Sequence, residues 1–266
     1  MKKEKKVPFY MVVFYVLVAF SLVVWIGARL QTIRFYDKNI FTGYDVRQLS
    51  DGWYDREGQY IRIPGNYDVV PGEYMRISHM VTKKEIDEVF ASPAYLLFRT
   101  DHTFVRAYVN DIEVYRFGEA GQIPFGKTPG SGWQLIELGQ LCAGDTIAID
   151  TMCPYEKYSG QWRHIVSGTK AELLSYILMK GLAMLLMTVI PLIIGMALVF
   201  LSPLFAQWGA GAKVSSLGLA FLIISAWSFT EARTWQLFFS NAYAMQILNF
   251  VTFALFLPSV VMAFHL

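Results

Sequence analysis

Apolar and polar positions follow two different patterns along this chain. Val7 to Ala28 is uncharged, and Gly181 to Trp208 carries no ionisable side chain. Val214 to Thr230 and Ala242 to Phe264 are also apolar along most of their length. About 20 apolar residues at ~1.5 Å rise each cross a ~30 Å hydrocarbon core. Four membrane spans are therefore predicted: the amino-terminal run, a long one starting near Leu173, and the last two. Pro191 is expected to kink the second span by removing one backbone bond. Asn249, in the body of the fourth, is expected to hydrogen-bond a neighbouring helix.

Between the first two spans the pattern changes. From about residue 31 to 170, Gly, Pro, Asn and Asp punctuate short alternating runs. Val105, Ala107 and Val109 share one face of such a run. Asn110-Asp111 follows, then Ile112 to Arg116, and this reads as a β-hairpin closed by a two-residue turn. Gln59–Ile63, Glu73–His79, Ala94–Thr100, Trp133–Leu138 and Asp145–Thr151 are further strand candidates; only Lys83 to Phe90 looks helical. Many short strands at this spacing predict an all-β sandwich or barrel, and about 140 residues suffice to bury one core.

Composition sharpens this picture. The 266 residues are 55% hydrophobic and 17% charged, against roughly 25% charged in soluble domains. The deficit is confined to the spans. A net charge of +2 with no basic stripe argues against nucleic acid as a partner. Lys2, Lys3, Lys5 and Lys6 precede the first run and place the amino terminus in the cytoplasm by the positive-inside rule. That run is too long for the ~7–15-residue core of a signal peptide and lacks a small-residue cleavage site, so it reads as an uncleaved anchor. Residues 1–30 are then tail and anchor, 31–170 an extracellular sandwich, and 171–266 three further spans, with both termini cytoplasmic. Cys142 and Cys153 flank a strand that would hold them beyond disulfide reach, so both are expected as free thiols.

Two sets of motifs resemble known families. Tyr95-Leu96-Leu97-Phe98, the Val105 to Tyr115 hairpin, Trp133 to Leu138 and Ala143 to Ile149 resemble the hairpin and following strand of galactose-binding-like jelly rolls, over roughly residues 70 to 152. Asp111 stands where Gly is usual there, which αL-tolerant Asp permits. The resemblance implies a jelly-roll sandwich, carbohydrate binding, and pairing of the hairpin with the later strand across the sandwich. Ser225 to Leu237, with its Trp-Ser-Phe-Thr-Glu step, and then Leu255-Phe256-Leu257-Pro258 resemble the bacterial seven-transmembrane receptors with diverse intracellular signalling modules. That resemblance implies a membrane-bound sensor region with an output such as a diguanylate cyclase or histidine kinase. Neither output motif occurs in this chain, so the expectation is the sensing half of a truncated seven-helix region, its cytoplasmic effector missing.

Candidate chemistry is sparse. Trp53, Trp133, Tyr155, Tyr158, Trp162 and His164 are the candidate ligand contacts, because an exposed aromatic ring can stack on the apolar face of a sugar. Each also has a structural reading: Trp133 opens a strand and fits a core, and Tyr155 to His164 fits interfacial anchoring. Asp101 and His102 share a turn but make a weak ion site. The acids of the insert form no visible pair, and no Ser-His-Asp set stands out, so the expectation is a non-enzyme with no metal and no cofactor. Expected partners are a small molecule or carbohydrate and the membrane lipid. A homodimer stays open, although no GxxxG seam stands out. The alternative function is a membrane-anchored carbohydrate-binding or cell-envelope assembly module that does not signal.

Overall fold

The structure is a computed structural model and describes residues 46–119, 123, 126–239 and 241–265. The anticipated first span lies outside the described residues. The chain divides into two units: one comprises Asn39–Met179 with Arg233–Gln246, and the other takes in Lys180–Ala232 and Ile247–Leu266.

The first unit is built on β-strands. In chain order they are β1 (Arg47–Gln48), β2 (Trp53–Tyr54), β3 (Tyr60–Ile61), β4 (Gly65–Asn66) and β5 (Tyr74–Met80). After helix α1 (Lys83–Glu88) come β6 (Ala94–Thr100), β7 (Phe104–Val109), β8 (Ile112–Phe117), β9 (Gly132–Gly139), β10 (Thr146–Met152), β11 (Gln161–Trp162) and β12 (Val166–Gly168). A four-stranded sheet has the order β1-β12-β6-β9 and a six-stranded sheet the order β3-β2-β5-β10-β7-β8, while β11 and β4 form a separate pair. Every pairing is antiparallel.

The alternation in the sequence places the core. Ile77, Val105, Ala107, Ile147 and Ile149 of the larger sheet meet Leu96, Phe98 and Ile136 of the smaller one in a single apolar cluster. The hairpin turn forms as expected, with Asn110 and Asp111 at φ +50° and +64°, the two positive values that a twist-matched two-residue turn requires. One expectation is corrected. Strands β7 and β10 do not face each other across the core but are hydrogen-bonded neighbours, from Val109 opposite Ile147 to Phe104 opposite Met152. Cys142 and Cys153 are both free thiols, the first exposed and the second buried.

Strand β6 is apolar on both faces because both are covered. Leu96 and Phe98 point into the core, whereas Tyr95 and Leu97 form a second cluster with Val166, Leu173 and Ile177. Leu173 and Ile177 belong to the opening turns of α2 (Lys170–Ala206), one helical turn apart. Leu237, from a short 3₁₀ turn at Thr234–Leu237, packs on the same cluster. A reciprocal cap fixes where α2 begins: the Thr169 N–H donates to Glu172 Oε2 at 2.8 Å, and the Glu172 N–H to Thr169 Oγ1 at 3.3 Å.

The second unit is helical: α2 beyond Lys180, α3 (Gly211–Ala232) and the part of α4 (Ala242–His265) after Ile247. Three helices among the described residues are long and apolar enough to span a membrane, with mean hydropathies of 2.7, 1.5 and 1.8. Large apolar side chains such as Phe200, Leu204, Phe250 and Leu257 lie exposed along them. That is the inverse of a soluble helix and suits a lipid surround. Small residues let α2 and α3 approach closely, since a Cβ at Gly218 would sit 2.9 Å from the Gly195 carbonyl oxygen. Nearby, Ser225 Oγ donates to the Thr188 carbonyl at 2.7 Å. Asn249 Nδ2 donates to Thr230 Oγ1 at 3.0 Å and to Glu231 Oε2 at 3.1 Å, the interhelical role expected of it.

Candidate functional site

The candidate site is a cleft of about 510 Å³ in the first unit, within the usual range for small-ligand pockets. One wall is the β4–β11 pair, which contributes Gly65, Asn66, Gln161 and Trp162. This pair depends on a close approach. Gly160 has φ +67°, and a Cβ there would collide with the Tyr67 carbonyl oxygen; the Tyr67 N–H donates to the Gly160 carbonyl at 3.0 Å. Only a glycine fits that turn without strain.

The opposite wall comes from the smaller sheet. Arg99 leaves β6 and Trp133 leaves the edge strand β9. Along β9, Gln134, Ile136 and Leu138 are buried, whereas Trp133, Leu135 and Glu137 alternate to the other face. Trp133 is thus half-buried on the outer face rather than in the sandwich core. Its ring meets Tyr176 of α2 edge-on, with centroids 6.0 Å apart at 81°. Its backbone is held as well: the Trp133 N–H donates to Gln236 Oε1 at 2.7 Å, and Gln236 Nε2 donates to the Trp133 carbonyl at 3.4 Å. The Gln236 amide acts as a one-residue strand partner, satisfying an edge that has no strand beyond it.

The charged groups are arranged around Asp101. Arg163 Nη2 donates to Asp101 Oδ2 at 2.6 Å, and Arg99 Nη2 lies 3.5 Å from Oδ1. Burial works to raise the Asp101 pKa, but the charges of Arg99 and Arg163 outweigh it and hold the carboxyl below the usual carboxylate range. Asp101 is therefore committed to two guanidinium groups.

The six candidate aromatics and histidine separate. Trp133, Trp162 and His164 all line the cleft. Trp162 shows only 3% of its surface, and its indole N–H points to Met75 Sδ at 3.2 Å. Trp53 is fully buried in the core with its indole N–H on the Leu49 carbonyl at 3.0 Å, so this fold gives it no face to offer a ligand. Tyr155 and Tyr158 gather instead around His102, with ring centroids 5.6 and 5.3 Å from the imidazole. The sequence reading passed over Arg99, Arg163, Tyr176 and Gln236. Arg99 left a signal, as a charged residue in the otherwise apolar run Ala94-Tyr95-Leu96-Leu97-Phe98.

No family model and no curated protein matches the chain. Among solved structures it is similar to an FMN-binding beta-glucuronidase from Faecalibacterium prausnitzii L2-6, at 14% identity and TM-score 0.32, over 46% of this chain and 22% of that one. It is also similar to a glycosyl hydrolase family 2 member from Bacteroides cellulosilyticus, at 11% identity and TM-score 0.32, over 46% of this chain and 20% of that one. The chain thus spans about a fifth of the length of either enzyme, and neither likeness carries an argument about activity.

Proposed function

We propose that this chain is the sensor region of a bacterial membrane receptor. In this reading the sandwich is a jelly roll held outside the cell between the amino-terminal span and α2, and four spans in all cross the membrane. The cleft takes a small molecule or carbohydrate, and the helices pass its occupancy to a cytoplasmic output such as a cyclase or kinase. The supporting observation is the position of Trp133. A single residue lines the cleft, contacts the opening turns of a membrane-spanning helix through Tyr176, and holds Gln236 in the segment between the other two helices. A ligand that favours one placement of Trp133 has differential affinity for two states of those elements, which is the requirement for transmission.

Two experiments test this. An impermeant thiol reagent on intact cells is expected to label the exposed Cys142 and to miss a cysteine placed by Lys213→Cys in the first turn of α3; the opposite pattern would invert the topology. Saccharide and small-molecule titrations of the full chain in lipid nanodiscs are expected to show a ligand whose binding Trp133→Ala weakens at least tenfold. Binding that leaves the exchange of residues 170–179 unchanged would favour the non-signalling anchor module instead.

A further inference from the structure

We infer that the cleft is selective for a saccharide carrying a carboxylate, of the uronic-acid type. This rests on the reading of the cleft as a ligand site and narrows its ligand class. Three observations carry it. First, Arg99, Arg163 and His164 line the cleft, and no Asp or Glu does so among the described residues. Second, the one acid beneath, Asp101, occupies a single N–H of Arg163 and reaches Arg99 only at 3.5 Å. A guanidinium has five donors in a planar fork that matches a carboxylate. Two arginines on one carboxylate therefore leave one positive charge and most of the donors uncommitted. Third, the Arg99 Nε–H is buried and has no hydrogen-bond partner among the described residues. An orphaned charged donor is costly, and an anion in the cleft would relieve it.

The remaining lining fits the rest of a sugar. Trp133 supplies an aromatic surface for a pyranose face, and the Asn66 and Gln161 side chains supply amides for hydroxyl groups. Both side chains belong to exposed residues, so their hydrogen-bonding groups need little desolvation to serve.

The test is calorimetric titration of the full chain in nanodiscs with oligogalacturonate, the matched neutral galactose oligomer, and acetate as a bare carboxylate. The uronate is expected to bind at least tenfold more tightly than the neutral sugar, and acetate is expected not to displace it. Arg163→Gln is expected to weaken uronate binding about ten- to hundredfold, the loss of a charge-assisted pair, and to weaken neutral-sugar binding by a much smaller factor, so that the uronate preference collapses. Arg163→Lys should recover only part of the loss, because the fork is gone. Rising ionic strength should weaken wild-type uronate binding and spare the neutral sugar, a readout that needs no variant. Equal affinity for both sugars, a uronate preference that survives Arg163→Gln, or displacement by acetate would each overturn the inference. Neutral-sugar binding as tight as uronate binding, and weakened by Trp133→Ala, would overturn it while leaving the sensor reading intact; no saccharide binding at all would count against both.

Discussion

Gln236→Leu is the substitution whose consequence follows most directly from the geometry. The Gln236 amide closes a pair of hydrogen bonds on the backbone of Trp133, one short at 2.7 Å and one long at 3.4 Å. Leucine keeps roughly the bulk and loses both bonds. The longer bond contributes little, so the main loss is one good acceptor for a partly buried N–H, about 1–2 kcal/mol. At about 1.4 kcal/mol per tenfold, local opening of the β9 edge should become roughly five- to thirtyfold more frequent. Hydrogen exchange with mass spectrometry on the full chain in nanodiscs reads this at peptides covering residues 132–135. Exchange there should accelerate by that factor, while peptides from β10, in the other sheet, stay unchanged. Gly132→Ala approaches the same contact from the opposite side, because its Cβ would collide with the Gln236 amide, and the same local acceleration is expected. Unchanged exchange at Trp133 in both variants would refute the strand-partner role. Equal acceleration in β10 would refute its local character.

Four further outcomes follow from the packing. Leu173→Ala removes a fully buried side chain from the cluster on the outer face of β6 and should cost about 2–4 kcal/mol of sandwich stability in a denaturant titration. The Tyr115 hydroxyl, its pKa pushed up to about 12 by burial, donates to Gln134 Oε1 at 2.8 Å, and Gln134 Nε2 in turn donates to Thr100 Oγ1 at 2.8 Å. Tyr115→Phe leaves that fully buried amide oxygen without its donor and should cost about 1–3 kcal/mol. The Asp101 carboxyl is held below its unfolded range, so its contribution is present above the unfolded pKa of about 3.9 and is lost as pH falls through the lower folded value. The acid limb of a stability profile measured from pH 6 to pH 2 should therefore flatten in Asp101→Asn. Gly218→Leu overfills the α2–α3 crossing at Gly195 and should lower the thermal stability of the helical unit in detergent by about 1–3 kcal/mol.

Strands buried on one face were legible in the sequence because half-burial writes a period of two. The hairpin, β9 and β10 lie within a residue or so of where alternation put them, and β6 was legible instead as a continuous apolar run, because both of its faces are covered. Strands β1, β11 and β12 left no such mark: they are two or three residues long, and their pairing is decided by partners far along the chain. Sheet order was not legible either, since nothing local says that β10 inserts between β5 and β7. The start of α2 was partly readable. The Thr169-x-x-Glu172 pattern marks it three residues before the apolar run suggested. Of the aromatics, residue type alone could not separate Trp53, with no exposed surface, from Trp133 on the cleft wall, because both open strands. The Gln236 contact spans 103 residues, and the Gly195–Gly218 approach involves single glycines without periodicity. Both arise only from tertiary packing.

Hydrogen exchange of the nanodisc-embedded chain, with and without a saturating saccharide ligand, tests the coupling through Trp133 most directly. The expected result is slower exchange in the cleft segments around residues 64–66 and 161–164, together with a change of matching concentration dependence at residues 173–177 and 234–237. Protection confined to the cleft segments, with the opening turns of α2 and the Thr234–Leu237 turn unaffected at saturation, would contradict the account.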